Sequence, residues 1–78
     1  MRHLGQLKEA IERYESALQA DPTNVRVHND WGEVLTMQGQ MEAAIAQFRR
    51  ALELAPDYSA ARENLRRAEM AVGKQLDR

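Results

Sequence analysis

The chain has 78 residues, 11 Lys and Arg against 12 Asp and Glu, a net charge of -1 and no cysteine. That length allows one small domain at most, the charge balance supplies no bulk positive field for nucleic acid, and without thiols neither disulfides nor thiolate metal sites can support the core. No uncharged run approaches the roughly 20 apolar residues of a membrane span, and Met1 to Gly5 lead into a polar amphipathic stretch unlike a signal peptide, so a cytoplasmic address is the default expectation.

The first predicted element covers about residues 6–20, where Leu7, Ala10, Ile11, Tyr14, Ala17 and Leu18 recur at helical spacing. Asp21-Pro22-Thr23-Asn24 follows as a connector, because Pro22 cannot continue a helix and the short oxygen-bearing side chains can cap the next one. A second helix is predicted at 25–38, ended by Gly39, which can adopt the left-handed conformation of a helix terminus. The third, at 41–54, repeats the apolar spacing of the first in Met41, Ala44, Ile45, Phe48, Ala51 and Leu52. Pro56-Asp57-Tyr58-Ser59 forms the second connector, and a fourth helix is predicted at 59–75. Strict alternation of apolar and polar residues, the strand pattern, does not occur, so the fold class is all-α with four helices.

These elements repeat. Gly5, Gly39 and Gly73 are 39 − 5 = 34 and 73 − 39 = 34 residues apart. The same shift superposes Gln6 on Gln40, Ala10 on Ala44, Ile11 on Ile45, Ala17 on Ala51, Leu18 on Leu52 and Pro22 on Pro56, while Tyr14 over Phe48 keeps an aromatic ring.

A 34-residue helix-turn-helix period with small residues at fixed places resembles the tetratricopeptide repeat, whose pattern runs W-x2-L-G-x2-Y, then A-x3-F, then P. The middle of the chain carries it as His28-x2-Trp31-Gly32-x2-Leu35, then Ala44-x3-Phe48, Ala51 and Pro56. His28 stands where the family most often has tryptophan. The resemblance implies an α-solenoid of antiparallel helix pairs in which Gly32 and Ala44 let two helices approach closely. It also implies a shifted frame for a single domain over 1–78: residues 1–24 match the second helix of a partial repeat, 25–58 a complete repeat, and 59–78 a capping helix. Arg66 and Glu69 occupy the small and aromatic positions there, and Arg62, Arg66, Glu69 and Lys74 suit an exposed polar face. The expected core is Leu7, Ile11, Tyr14, Leu18, Val27, Trp31, Val34, Leu35, Ile45, Phe48, Leu52, Leu65 and Val72.

In such arrays first helices line a concave face, and the corresponding outward residues are Arg26, Asn29, Asp30, Glu33 and Met37 on the second helix and Glu63, Arg67 and Met70 on the fourth. Mixed charges with two adaptable methionines suit a protein or peptide partner, and this set is the expected binding surface of a protein–protein interaction module. The bland alternative is a solvated face in which Arg26 with Asp30, and Glu63 with Arg67, are ordinary helix pairs four residues apart. An alternative function is a structural oligomerisation or spacer unit that self-associates through Leu4, Leu7 and Ile11 on the first helix. The clamp for a terminal carboxylate found in some members of this family is rejected, because only Asn64 matches it, Asn29 stands where a lysine is wanted and Glu33 would repel the ligand.

No catalytic machinery is visible. Ser16 and Ser59 lack a neighbouring histidine or glycine-rich elbow, no phosphate-binding glycine motif occurs, and an enzyme is not expected. His3 and His28 are isolated from other ligand types, so no metal or cofactor is expected. The Arg62, Arg66 and Arg67 cluster is diluted by Glu63 and Glu69, so neither nucleic acid nor membrane is an expected partner.

Overall fold

A computed structural model describes the backbone of residues 2–76 and the side chains of residues 6–73. It contains four helices in chain order, α1 (Arg2–Ala20), α2 (Val25–Met37), α3 (Met41–Leu54) and α4 (Ser59–Leu76). The expected order and connectors hold, and α4 runs through Gly73 as expected, but α1 starts earlier than residue 6 and runs through Gly5. A glycine inside a helix costs about 1 kcal/mol and does not end it by itself. Termination needs a chain reversal, and that occurs at Gly39, whose φ of 81° is left-handed. There the Gly39 N–H donates to the Thr36 carbonyl at 3.0 Å and the Gln40 N–H to the Leu35 carbonyl at 2.9 Å. This crossed pair satisfies carbonyls that the end of α2 would otherwise leave open.

The start of α2 is fixed by side chains. Asn24 accepts from the Val27 N–H at 3.2 Å, the geometry of an N-cap. Asp21 accepts from both the Thr23 hydroxyl, at 2.7 Å, and the Thr23 N–H, at 3.1 Å. Those two bonds, the hydroxyl first, hold its carboxyl below the usual value. In the second connector the cap position falls on Tyr58, whose carbonyl accepts from the Arg62 N–H at 3.2 Å. The expectation of a short oxygen-bearing cap is met in the first connector and not in the second. Instead the Arg62 guanidinium donates to the Pro56 carbonyl at 3.0 Å and ties the connector to α4.

Small residues make the core. Val34, Leu35, Ala44, Phe48, Ala51, Ala61 and Ala68 are buried, and Phe48 is the largest side chain fully excluded from water. Gly32 explains how Phe48 fits: a Cβ placed there would meet the ring, 2.7 Å from Cδ1 and 2.8 Å from Cζ, with Cε1 nearer still. Trp31, Met41, Ile45 and Leu65 close the margin of this cluster. The expected core therefore needs correction. Val34, Leu35 and Phe48 are buried as expected, but Leu7, Ile11, Tyr14, Leu18, Val27, Trp31, Ile45, Leu52, Leu65 and Val72 are only half-buried. Gly32 and four alanines share the interior with Val34, Leu35 and Phe48, and the remaining long side chains lie at its edges. The Trp31 indole N–H is buried with no hydrogen-bond partner.

His28, at the position where tryptophan is usual in the pattern above, is buried and polar-bonded. Its Nε2 lies 2.8 Å from the Pro22 carbonyl and its Nδ1 2.8 Å from the Gln47 side-chain amide. A carbonyl can only accept, so Nε2 is the donor to Pro22. One side chain thus joins α2, α3 and the first connector. Among the described helices α1 packs on α2 alone, α3 packs on both α2 and α4, and α2 also touches α4.

Candidate functional site

Where α2, α3 and α4 converge they leave a groove of about 410 Å³. Each helix supplies a distinct part. The floor is apolar, built from Met37, Met41 and Phe48; the rim is polar, with Glu33 from α2 facing Asn64 and Arg67 from α4; Thr36, Ala68 and Ala71 complete the walls. The rim is held by a single amide. Asn64 Nδ2 donates to Glu33 Oε2 at 3.0 Å and to Asn29 Oδ1 at 3.1 Å, which fixes α4 across α2 and orients the Glu33 carboxylate. Thr36 turns its hydroxyl back to the Gly32 carbonyl at 2.9 Å, leaving its methyl group for the wall.

The residues expected on the concave face are divided by the structure. Glu33, Met37 and Arg67 line the groove, and Met37 is 66% exposed. Asn29 is not an outward group: it is 3% exposed and its oxygen is taken by Asn64. Its burial follows from α4 crossing α2 at that turn. Glu63 faces a separate recess with Ser59, Arg62 and Arg66. Met70 is 59% exposed outside the groove lining. Arg26 and Asp30 form the expected pair at 3.8 Å, a loose contact for an ion pair. Glu63 and Arg67, expected to pair, are not among the ion pairs of the described residues, which join Arg26 to Asp30, Arg49 to Glu69 and Arg50 to Glu53.

Electrostatics add one residue that the sequence reading left in the core. Burial, then the neighbouring Asp30 and Glu33 carboxylates, hold the Tyr14 phenol above its usual value, with Arg26 opposing. Asp30 is likewise held above the usual carboxylate value, first by burial and then by Glu33, again with Arg26 opposing. Thr36, Met41, Phe48, Asn64, Ala68 and Ala71 are the groove residues missing from the sequence-based set. Met41 belongs to a second helix and Asn64 is paired across 35 positions, so helical periodicity within one element could not select them.

Of the residues expected to support self-association, Leu7 and Ile11 are half-buried, and the side chain of Leu4 lies outside the described residues. Among the described residues no helix is long and apolar enough to cross a membrane, and no three potential metal ligands lie together.

Comparison with known proteins agrees with this architecture. The family described as tetratricopeptide repeat matches residues 2–68. The chain is 36% identical over 74 residues to protein FlbA of Caulobacter vibrioides, covering 95% of this chain and 12% of that protein. It is 35% identical over 65 residues to protein O-mannosyl-transferase TMTC1 of Mus musculus, covering 83% of this chain and 7% of that protein. The peroxisomal targeting signal receptor of Saccharomyces cerevisiae matches at 35% over 65 residues, 83% of this chain and 11% of the receptor. The chain thus spans only a small part of the length of each relative, and these similarities concern the repeat alone. Repeats of this kind generally mediate protein–protein interaction. With four helices, a 34-residue period and a glycine set under the aromatic ring of the paired helix, the chain belongs to the tetratricopeptide repeat family.

Proposed function

We propose that this chain is a protein–protein interaction module that receives a partner segment in the groove between α2, α3 and α4. The observation that carries this reading is a groove in which Met37 and Met41, backed by the buried Phe48 ring, stand beside the polar side chains of Glu33, Asn64 and Arg67. An apolar base with a few fixed polar groups suits a peptide that inserts one apolar side chain and sets its own polar groups against the rim. Methionine adapts its shape to different occupants, and Asn64 keeps the Glu33 carboxylate oriented before binding. Arg26, Asp30, Glu63 and Met70 are then flanking contacts, and Asn29 supports the rim from within. In this frame 1–24 serves as the second helix of a partial repeat, 25–58 as a complete repeat and 59–78 as a capping helix within one domain. The relative named as a targeting-signal receptor accords with a peptide-binding use of such a groove. No catalytic step is proposed.

The test is selection of binding peptides from a random library, followed by titration against Met37→Glu and Arg67→Glu. At least one peptide should bind the wild-type chain and lose about tenfold or more in affinity to each variant, about 1.4 kcal/mol. Peptides whose affinity is unchanged by both substitutions, or a library that yields none, would refute the groove as the binding surface.

A further inference from the structure

The two charges of the groove are left open by the bonds around them. Glu33 and Arg67 line it with opposite signs, yet among the described residues neither belongs to an ion pair. Glu33 takes its hydrogen bond from a neutral group instead, Asn64 Nδ2 at 3.0 Å. Asp30, one turn earlier on α2, differs in having Arg26 at 3.8 Å. Both groove charges are exposed, so each keeps its hydration until an occupant replaces it.

The hydrogens of the α2-facing wall are already engaged. A carboxylate can only accept, so the Asn64 atom turned to Glu33 is the amide nitrogen, and its second N–H goes to Asn29 Oδ1 at 3.1 Å. Thr36 has one hydroxyl hydrogen, which goes to the Gly32 carbonyl at 2.9 Å. Glu33, Thr36 and Asn64 therefore offer an occupant acceptors alone, and Arg67 is the one side-chain donor still available among the described lining residues. An asparagine that grips a peptide main chain uses its N–H and its carbonyl together, and Asn64 has no N–H left for that. Recognition falls to the side chains of the occupant.

We infer that the groove selects, in the partner segment, an apolar residue flanked by a cationic side chain on one side and an acidic one on the other. This rests on the groove being the binding surface, as proposed above, and adds what it reads. The cation, lysine or arginine, supplies hydrogens to the Glu33 carboxylate and the Asn64 carbonyl oxygen, while the acid accepts from the Arg67 guanidinium. The apolar side chain between them covers Met37, which is 66% exposed, and Met41. A uniformly basic or uniformly acidic segment satisfies one wall and meets like charge at the other. The lining carries one charge of each sign, so a segment of this pattern leaves the filled groove neutral.

Peptides selected from a random library on the full chain provide the test, and those that lose affinity to Met37→Glu are the groove binders. They should carry the pattern. Glu33→Gln, combined with replacement of the peptide's cation by glutamine, forms a double-mutant cycle, and glutamine keeps an oxygen for Asn64 so that the rim stays built. Each single change should weaken binding about three- to tenfold, and the double change little more than either. Arg67→Gln against the peptide's acid should behave in the same way. A second measurement needs no variant of the chain: affinity for the charged peptide should fall with added salt, while that for its neutral analogue stays level. Groove binders without charged flanks, additive cycles, or binding indifferent to salt would overturn the inference and leave the groove reading standing. A library that yields no peptide sensitive to Met37→Glu would overturn both.

Discussion

Helices α2 and α4 lie 34 residues apart in the same register, yet they are built for different surroundings. α2 buries His28, Asn29, Gly32, Val34 and Leu35, whereas among the described residues of α4 the buried ones are Ala61 and Ala68. Both have helical periodicity, and neither difference comes from it. α2 has α1 on one side, α3 on the other and α4 across its groove face; α4 has α3 and a lesser contact with α2. At three matched positions the chemistry follows: His28, Gly32 and Leu35 face a neighbour, while Arg62, Arg66 and Glu69 face water. A repeat sequence sets the helices, and the number of neighbours decides which faces must be small or apolar.

The sharpest way to break this comparison is to truncate both members of a matched pair. Leu35→Ala should cost about 2–5 kcal/mol, the range for deleting a large buried aliphatic group. In a domain of this size each kcal/mol moves the melting temperature by about 4–8 °C. Glu69→Ala should change stability by no more than about 1 kcal/mol, because its pair with Arg49 is exposed on both sides. Denaturant unfolding of the two variants gives the ratio; equal losses would mean that α2 and α4 are equally embedded.

Two glycines sharpen the same point with opposite signs. Gly32→Ala should destabilise the chain by about 1–3 kcal/mol, since its methyl group would press on a Phe48 ring that has nowhere to move. Gly73→Ala should stabilise it by up to about 1 kcal/mol, because Gly73 lies in α4 with nothing within 4 Å of an added Cβ. Thermal melts of both variants decide it, and a gain for Gly32→Ala would sink the close-approach account. The cap at the start of α2 comes next. Asn24→Ala should cost about 1 kcal/mol by removing the acceptor for the Val27 N–H, whereas Tyr58→Ala removes no such cap and acts only through its half-buried ring.

Much of this organisation was legible from the residues. Gly39, Pro22 and Pro56 mark connectors because a left-handed φ or a missing N–H leaves the backbone little choice, and the 34-residue period aligned the helices before any contact was known. Side-chain placement was less legible. Periodicity put Asn29 among the outward residues, but α4 crosses there and buries it against Asn64. Glu63 and Arg67 are four residues apart, yet one enters a recess beside Arg62 and the other the groove. Spacing within one helix fixes direction around its axis. It carries no information about which neighbour arrives in that direction, and beside the three groove residues of α2 stand six from α3 and α4.

The smallest expected effect concerns the charge of the α2 face itself. Asp30 is held above its usual value of 3.8 by burial and by Glu33, only partly offset by Arg26. A carboxyl whose folded value is raised binds its proton more tightly in the folded chain, so its ionisation opposes folding. That cost is absent below 3.8, appears as pH rises through the folded value, and is fully present at neutral pH. Asp30→Asn should therefore raise the melting temperature slightly at pH 7 despite losing the loose Arg26 pair, and the advantage should fade as pH falls toward the usual carboxylate range. Asp21 runs the other way: its lowered value means that its ionised form supports the folded connector and that this support is lost on acidification. Asp21→Asn should accordingly be neutral or harmful at pH 7, with any loss shrinking in acid. Melting curves of the two variants across the acid range should thus diverge in sign at neutral pH, and a loss of stability in Asp30→Asn at pH 7 would show that the Arg26 contact outweighs burial and the Glu33 carboxylate together.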